Sequence, residues 1–131
     1  MCNQLPPEFW HGIQQFNQQE FYACHDTLEA IWLEASEPER TLYQGILQIA
    51  VGIYHLSHQN LRGAMILLGE GISRLSRYQP EYAGLDIHQL LLQSKTLLTQ
   101  LQEDSLNQTD QLDITQYFQL FPKIEFSDRT S

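Results

Sequence analysis

The stretch TLYQGILQIAVGIYHLSHQNL, residues 41–61, decides the fold, because it contains no Asp, Glu, Lys or Arg and its apolar side chains recur at helical spacing. Leu42, Ile46, Ile49, Ile53 and Leu56 form one seam, and Leu47, Ala50 and Tyr54 a second. A helix apolar on most of its sides is normally the central one of a bundle. Gly45 and Gly52 each cost about 1 kcal/mol relative to Ala in a helix interior, so they are expected where a neighbouring helix comes close. The polar exceptions, Gln44, Gln48 and His55, fall on one stripe within an arc of roughly 40°.

Working outward, the spacing predicts further helices on both sides. Phe9, Ile13 and Phe16 make one face of a helix over Pro7 to Asn17, with proline tolerated in its first turn. Cys24, Leu28, Ile31 and Ala35 make the inner face of a second, from Phe21 to Ala35. Ser36 and Glu39 have capping-box spacing before the third helix, Pro38 to Ser57. Asn60 is a good N-cap for a fourth, Leu61 to Tyr78, whose seam is Leu61, Ala64, Leu68, Ile72 and Leu75. Asp86 and Gln89 offer a second capping box ahead of a fifth, built on Ile87, Leu90, Leu91, Leu97, Leu98 and Leu101. After about Glu103 the chain turns polar, and Ile114 to Phe121 is expected as a short helix or arm. No strand is expected. The fold class is therefore all-α: one domain over residues 1–131, an up-and-down bundle of three core helices plus an N-terminal helix and a C-terminal helix with a short arm.

A second polar stripe, His25, Glu29 and Trp32, lies on the helix before the charge-free one. The two are joined by a short turn and should pack antiparallel. With the turn centred near Ser36 and Glu37, His25 is expected level with Gln48, Glu29 with Gln44, and Arg40 with Trp32, while His55 lies farther along toward Tyr22. Such rows support three readings. One is a satisfied polar network that fixes register. Another is a ligand cleft, walled by Trp32 and Tyr22, with His25, Glu29, Gln44 and Gln48 orienting the ligand and Arg40 neutralising Glu29 or an acid. The third is a metal site with His25, Glu29 and His55 as first ligands and Asp26 as a possible base of a hydrolase. Asp26 points about 100° away from its neighbour's stripe. His11 and His58 are expected as exposed or capping groups and His88 facing solvent, and Trp10, Phe21 and Tyr22 are expected in the core rather than as a cofactor box. Cys24 is expected as a buried thiol rather than a nucleophile.

Seven basic against sixteen acidic residues give a formal net charge of −9, which argues against nucleic acid and anionic membranes as partners. Cys2 and Cys24 make no disulfide framework. The N-terminus has no signal-like pattern, and the apolar run is too short to span a bilayer, so a cytoplasmic protein is expected. A small molecule, a protein partner or a second copy of the chain are the partners the sequence leaves open; no cofactor is indicated.

Phe16-Asn17, Phe21-Tyr22, His25-Asp26, Leu28-Glu29, Trp32, Arg40, Gln44-Gly45, Gln48, Ala50, His55, Asn60 and Gly63-Ala64 together resemble domain of unknown function family 309, over about Phe9 to Leu75. The resemblance implies a small all-helical up-and-down bundle, and no activity, substrate or cofactor. Its pattern lands on His25, Glu29, Trp32, Arg40, Gln44, Gly45, Gln48 and His55, with Asp26 where the family more often has Glu. Residues from about 80 to 131 lie outside it, as a C-terminal extension.

Overall fold

The structure, a computed structural model, describes residues 5–107 and 113–127; Cys2 and part of the polar stretch after Glu103 lie outside the described residues. Five α-helices follow one another: α1 (Pro7–Asn17), α2 (Phe21–Trp32), α3 (Glu39–Ser57), α4 (Leu61–Leu75) and α5 (Ile87–Asn107). Each packs on the next. Their order is antiparallel. The start of α2 meets the end of α3 through Tyr22 and Tyr54, whose ring centroids are 5.1 Å apart, and the end of α2 meets the start of α3 through Trp32 and Arg40, with the guanidinium 4.2 Å from the ring centroid. The α2–α3 turn thus centres close to Glu37, as the sequence predicts.

The charge-free helix is the axle of the bundle. Leu42, Ile46, Ile49, Ile53 and Leu56 are all fully buried. Sealing one such side chain from water contributes about 1.5–3 kcal/mol. α4 lies against α3 with almost no space between the backbones. A Cβ on Gly71 would stand 2.8 Å from the Gly45 carbonyl oxygen and 2.7 Å from Ile49 Cγ1, and one on Gly52 would stand 3.2 Å from both the Ala64 oxygen and the Leu68 nitrogen. The buried residues of α1 (Phe9, Ile13, Phe16), α4 (Ala64, Leu68, Leu75) and α5 (Leu90, Leu91, Leu97, Leu101) close the core around it.

Several boundaries differ from expectation for identifiable reasons. The Ser36–Glu39 capping box does not form. Pro38 occupies the N-cap of α3 without a side-chain bond, and Glu37 does the capping instead: its carboxylate accepts from the Thr41 backbone N–H at 3.1 Å and from the Thr41 hydroxyl at 2.7 Å. The Asn60 cap of α4 is as predicted, Gly63 N–H donating to Asn60 Oδ1 at 2.9 Å; of the capping box at α5 the Asp86 half forms, Gln89 N–H donating to Asp86 Oδ1 at 2.9 Å, while the Asp86 N–H goes to the Glu125 carbonyl instead. α2 stops at Trp32, short of Ala35, and α4 tightens into a 3-10 turn over Ser76–Tyr78. α5 runs past Glu103 to Asn107, and the arm is a 3-10 helix, Ile114–Leu120. Strands were not expected, yet Glu81–Tyr82 (β1) and Leu85–Asp86 (β2) pair antiparallel around Ala83 and Gly84, both at positive φ. Strands this short carry no alternation for a sequence reading to detect.

The C-terminal segment straps this hairpin to α1. Phe126 bridges Leu85, Asp86 N–H donates to the Glu125 carbonyl at 2.8 Å, and the Asn17 amide both donates to the Ile124 carbonyl and accepts from its N–H, each at 2.7 Å.

Two outcomes follow from this packing. Gly71→Ala forces the α3–α4 backbones apart and is expected to cost about 1–3 kcal/mol in urea denaturation. Gly69→Ala, where a Cβ meets nothing within 4 Å, is expected to gain roughly 0.5–1 kcal/mol. Equal midpoints for the two variants are incompatible with the close approach. At the α3 cap, the bonds from Thr41, first the hydroxyl's, hold the Glu37 pKa below its ordinary value, with Arg77 and Arg40 helping and partial desolvation opposing. A carboxylate whose folded pKa is depressed stabilises the fold above its unfolded pKa, and that stability is lost as pH falls through the folded value. Thr41→Val removes the main cause. The variant's stability should therefore fall less than the parent's when the pH is lowered from neutrality to below the ordinary glutamate range.

Candidate functional site

α2 presents two faces. Cys24 and Leu28 point into the core, where burial pushes the Cys24 thiol pKa up to about 12, so it is no nucleophile near neutral pH. The opposite stripe, Tyr22, His25, Asp26, Glu29 and Trp32, lies at the edge of the α2–α3 seam. Phe21 is buried and Trp10 packs half-buried against the core, whereas Tyr22, also expected in the core, is 54 % exposed because the core side of the first turn of α2 is taken by Phe21.

His25 is the pivot. Its side chain is 23 % exposed, with Asp26 Oδ1 3.4 Å from Nδ1 and Glu29 Oε1 3.7 Å from Nε2; the two carboxylates are themselves 60 % and 49 % exposed. One ligand-type atom from each of His25, Asp26 and Glu29 can be chosen so that all lie within 4.8 Å of one another, and His55 is not in this group. Asp26 therefore joins the imidazole despite its offset on the helix, because an adjacent side chain can curl around the ring edge. Neither contact is a hydrogen bond, and Nδ1 stays buried without a bonding partner among the described residues.

Gln48 is buried on α3, but its amide turns toward α4, donating to Glu70 Oε1 at 3.1 Å; Oε1 of Gln48 has no partner. Glu70 was not among the predicted residues. The mirror argument used for the α2–α3 turn, applied to the α3–α4 hairpin about Gln59, places Glu70 opposite Gln48 and would have found it. Gln44 lies half-buried on the same stripe, one turn before.

Arg40 is level with Trp32, but it does not neutralise Glu29. Its guanidinium covers the Trp32 ring and donates to the carbonyls of Trp32 at 3.3 Å and Ala35 at 3.4 Å, satisfying the end of α2. Trp32 Nε1 is buried and unpartnered. His55 lies at the far end, its Nδ1 3.4 Å from Asn60 Nδ2. There the rings gather: Tyr22 is 5.7 Å from His25 and 5.1 Å from Tyr54, and Tyr54 is 4.3 Å from His58 and 6.4 Å from His55 between centroids. His11, His58 and His88 are exposed, as expected.

Hollows elsewhere do not involve these residues. One of about 470 Å³ is lined by Pro6, Glu8, Ala30, Ile31, Glu34, Ala35 and Tyr43, and another of about 240 Å³ lies between α5 and the 3-10 arm. Among the described residues no helix is long and apolar enough to cross a membrane.

Residues 9–67 match the family model described as "Domain of unknown function (DUF309)". The uncharacterized protein YpuF of Bacillus subtilis (strain 168) is 33 % identical over 86 residues, which are 63 % of this chain and 49 % of that protein. The chain thus spans about half the length of the curated relative it matches. From α1 into α4, where the two polar stripes lie, the chain carries the DUF309 pattern that its residues resemble, a family whose description assigns no activity.

Proposed function

We propose that the chain is a binding module whose polar α2–α3 face seats a small polar ligand or a segment of a partner. The observation that carries this reading is unmet hydrogen-bonding capacity. Among the described residues five buried side-chain atoms lack a partner, and three of them, His25 Nδ1, Trp32 Nε1 and Gln48 Oε1, belong to the two stripes; the others, Gln15 Oε1 and Ser94 Oγ, lie on α1 and α5. An unsatisfied buried polar atom costs on the order of 1–3 kcal/mol, so three on the two stripes favour an occupant whose binding lets them find partners. Trp32 Nε1 donates, Gln48 Oε1 accepts, and a histidine nitrogen does either, so the occupant is one that both donates and accepts.

Gln48→Leu separates this reading from a purely structural network. Leucine keeps the bulk, and Glu70 is exposed and turns to water, so stability should change by less than about 1 kcal/mol. In a thermal-shift screen of polar small molecules, compounds that raise the melting temperature of the parent should lose that effect in Gln48→Leu. Collapse of the variant would instead support the network and remove the binding reading.

A second reading has its own observation, the His25–Asp26–Glu29 group. Ligands on one first-row divalent ion with bonds of about 2.0–2.2 Å lie no more than about 4.4 Å apart, so a small rotamer adjustment closes this group around a metal. The metal-dependent hydrolase considered from the sequence would then use Asp26 as a ligand in place of His55, and Asp26 would no longer be free to act as its base. Protein purified without a histidine tag and supplemented with Zn²⁺ or Mn²⁺ should retain one equivalent after desalting, and Asp26→Asn should retain less. A substoichiometric content in the parent removes this reading.

A further inference from the structure

We infer that the occupant of this face is cationic: an alkylammonium or guanidinium group seated on the Tyr22 ring beside Asp26 and Glu29. The inference rests on the binding reading above and specifies the chemistry of the ligand.

The starting observation is an aromatic side chain in the wrong place for packing. Tyr22 is 54 % exposed, yet it lies against Tyr54 at 5.1 Å and His25 at 5.7 Å, so its ring is braced in one position while part of its surface faces water. Tyr54 is braced in turn by His58 at 4.3 Å. A held aromatic face attracts cations through its quadrupole, and recognition of ammonium groups by such rings is a common use of it. The charge around the ring agrees. The carboxylates of Asp26 and Glu29 border His25, the ring's neighbour, and both are exposed enough to meet a ligand. Among the described residues no lysine or arginine lies over a ring of this cluster. The arginine of the α2–α3 seam, Arg40, is held at the other end by Trp32, ten residues or about 15 Å along α2 from Tyr22. A formal net charge of −9 adds a long-range field of the same sign. An anionic ligand would meet two carboxylates and two electron-rich rings, so acids and phosphates are disfavoured here. A cation at Tyr22 leaves the rest of its molecule free to run along α2 toward Trp32, whose buried Nε1 lacks an acceptor.

The test uses the full chain in EDTA, which excludes the metal reading. Choline, its neutral isostere 3,3-dimethylbutanol, and a short acetylated arginine–lysine peptide are titrated while the ring resonances of Tyr22, Tyr54 and His25 are followed by NMR. Choline and the peptide should shift these resonances saturably, and the isostere should bind about two- to fivefold more weakly, the size of an exposed cation–π contact. Tyr22→Leu and Glu29→Gln, both at exposed positions, should weaken the cations by a similar factor with the remaining spectrum unchanged. A peptide far tighter than choline assigns the cation to a partner's side chain; comparable affinities assign it to a small amine. Equal binding of choline and its isostere, or variants that bind choline like the parent, overturns the inference. If polar compounds stabilise the parent through Gln48 while no cation moves the Tyr22 ring, the binding reading stands and the cationic assignment falls.

Discussion

The distance between α3 and α4 is the constraint on which the rest of the bundle depends. Gly71 presses against the carbonyl of Gly45, and Gly52 against the backbone of α4 at Ala64 and Leu68, leaving no room for a methyl group on Gly71 and little on Gly52. Glycine inside a helix gives up about 1 kcal/mol of intrinsic helix stability at each position. The dense packing it permits, with Ile49, Leu68 and Leu75 fully buried at the same interface, offsets that cost. Because α3 is fixed so firmly on its α4 side, its rotation about its own axis is fixed too. That rotation leaves Gln44, Gln48 and His55 off the main seam of the core, with the Gln48 amide reaching Glu70 on α4.

A central helix with no Asp, Glu, Lys or Arg beyond its first turn has a further consequence. The ionic groups near the polar stripe come from the flanking helices, Asp26 and Glu29 from α2 and Glu70 from α4, and from the first turn of α3, where Arg40 lies. Gln48 is neutral and bidentate in character, so it can answer either flank. Its amide nitrogen serves Glu70 and its oxygen is left over. A carboxylate or ammonium at the same place would pay a desolvation penalty of several kcal/mol unless paired, and would lock the stripe to one partner. The amide leaves the stripe polar at small cost in stability, which is the condition a binding surface on a core helix has to meet.

The helical pattern was legible because its signals are redundant. The α3 seam, the Asn60 cap and the Asp86 cap each depend on spacing alone, and each is where the spacing puts it. The details that were not legible depend on a competition between neighbours. Pro38 lies between Ser36 and Glu39, and the cap passes to Glu37, one residue outside the pattern sought. α1 and α3 both end through a glutamine in the left-handed region, Gln19 and Gln59 at φ 66°, where the following N–H reaches back to Gln15 O and His55 O at 2.9 and 2.8 Å. Glycine or asparagine usually announces that stop, and glutamine does not. At the site, the stripes and the turn that pairs them could be read from periodicity. Which way an amide or guanidinium points could not, since Arg40 chooses between Glu29 and a Trp32 ring by fractions of a kcal/mol on a surface where ion pairs count for little.

The C-terminal extension, outside the family-matched residues, bears on the same face from behind. Asn17 reads the backbone of Ile124 as a strand would, accepting and donating at once, and Lys123 reaches the Asn17 carbonyl at 3.2 Å. Phe121 packs edge-on to Phe21 at 5.8 Å, and Phe126 stacks on Trp10. The Asn17 and Phe21 contacts fall on the corner where α1 turns into α2, while Phe126 reaches Trp10 near the start of α1. Phe21 is the buried residue of that corner, and Tyr22 is the next in sequence, turned outward. Holding Phe21 from two sides, by Phe16 within the family-like core and by Phe121 from the extension, fixes the first turn of α2. A first helical turn is the part of a helix most prone to fray, because its N–H groups lack intrahelical acceptors. The extension thus rigidifies the one turn whose outer residue carries the exposed ring, and does so without touching the polar stripe.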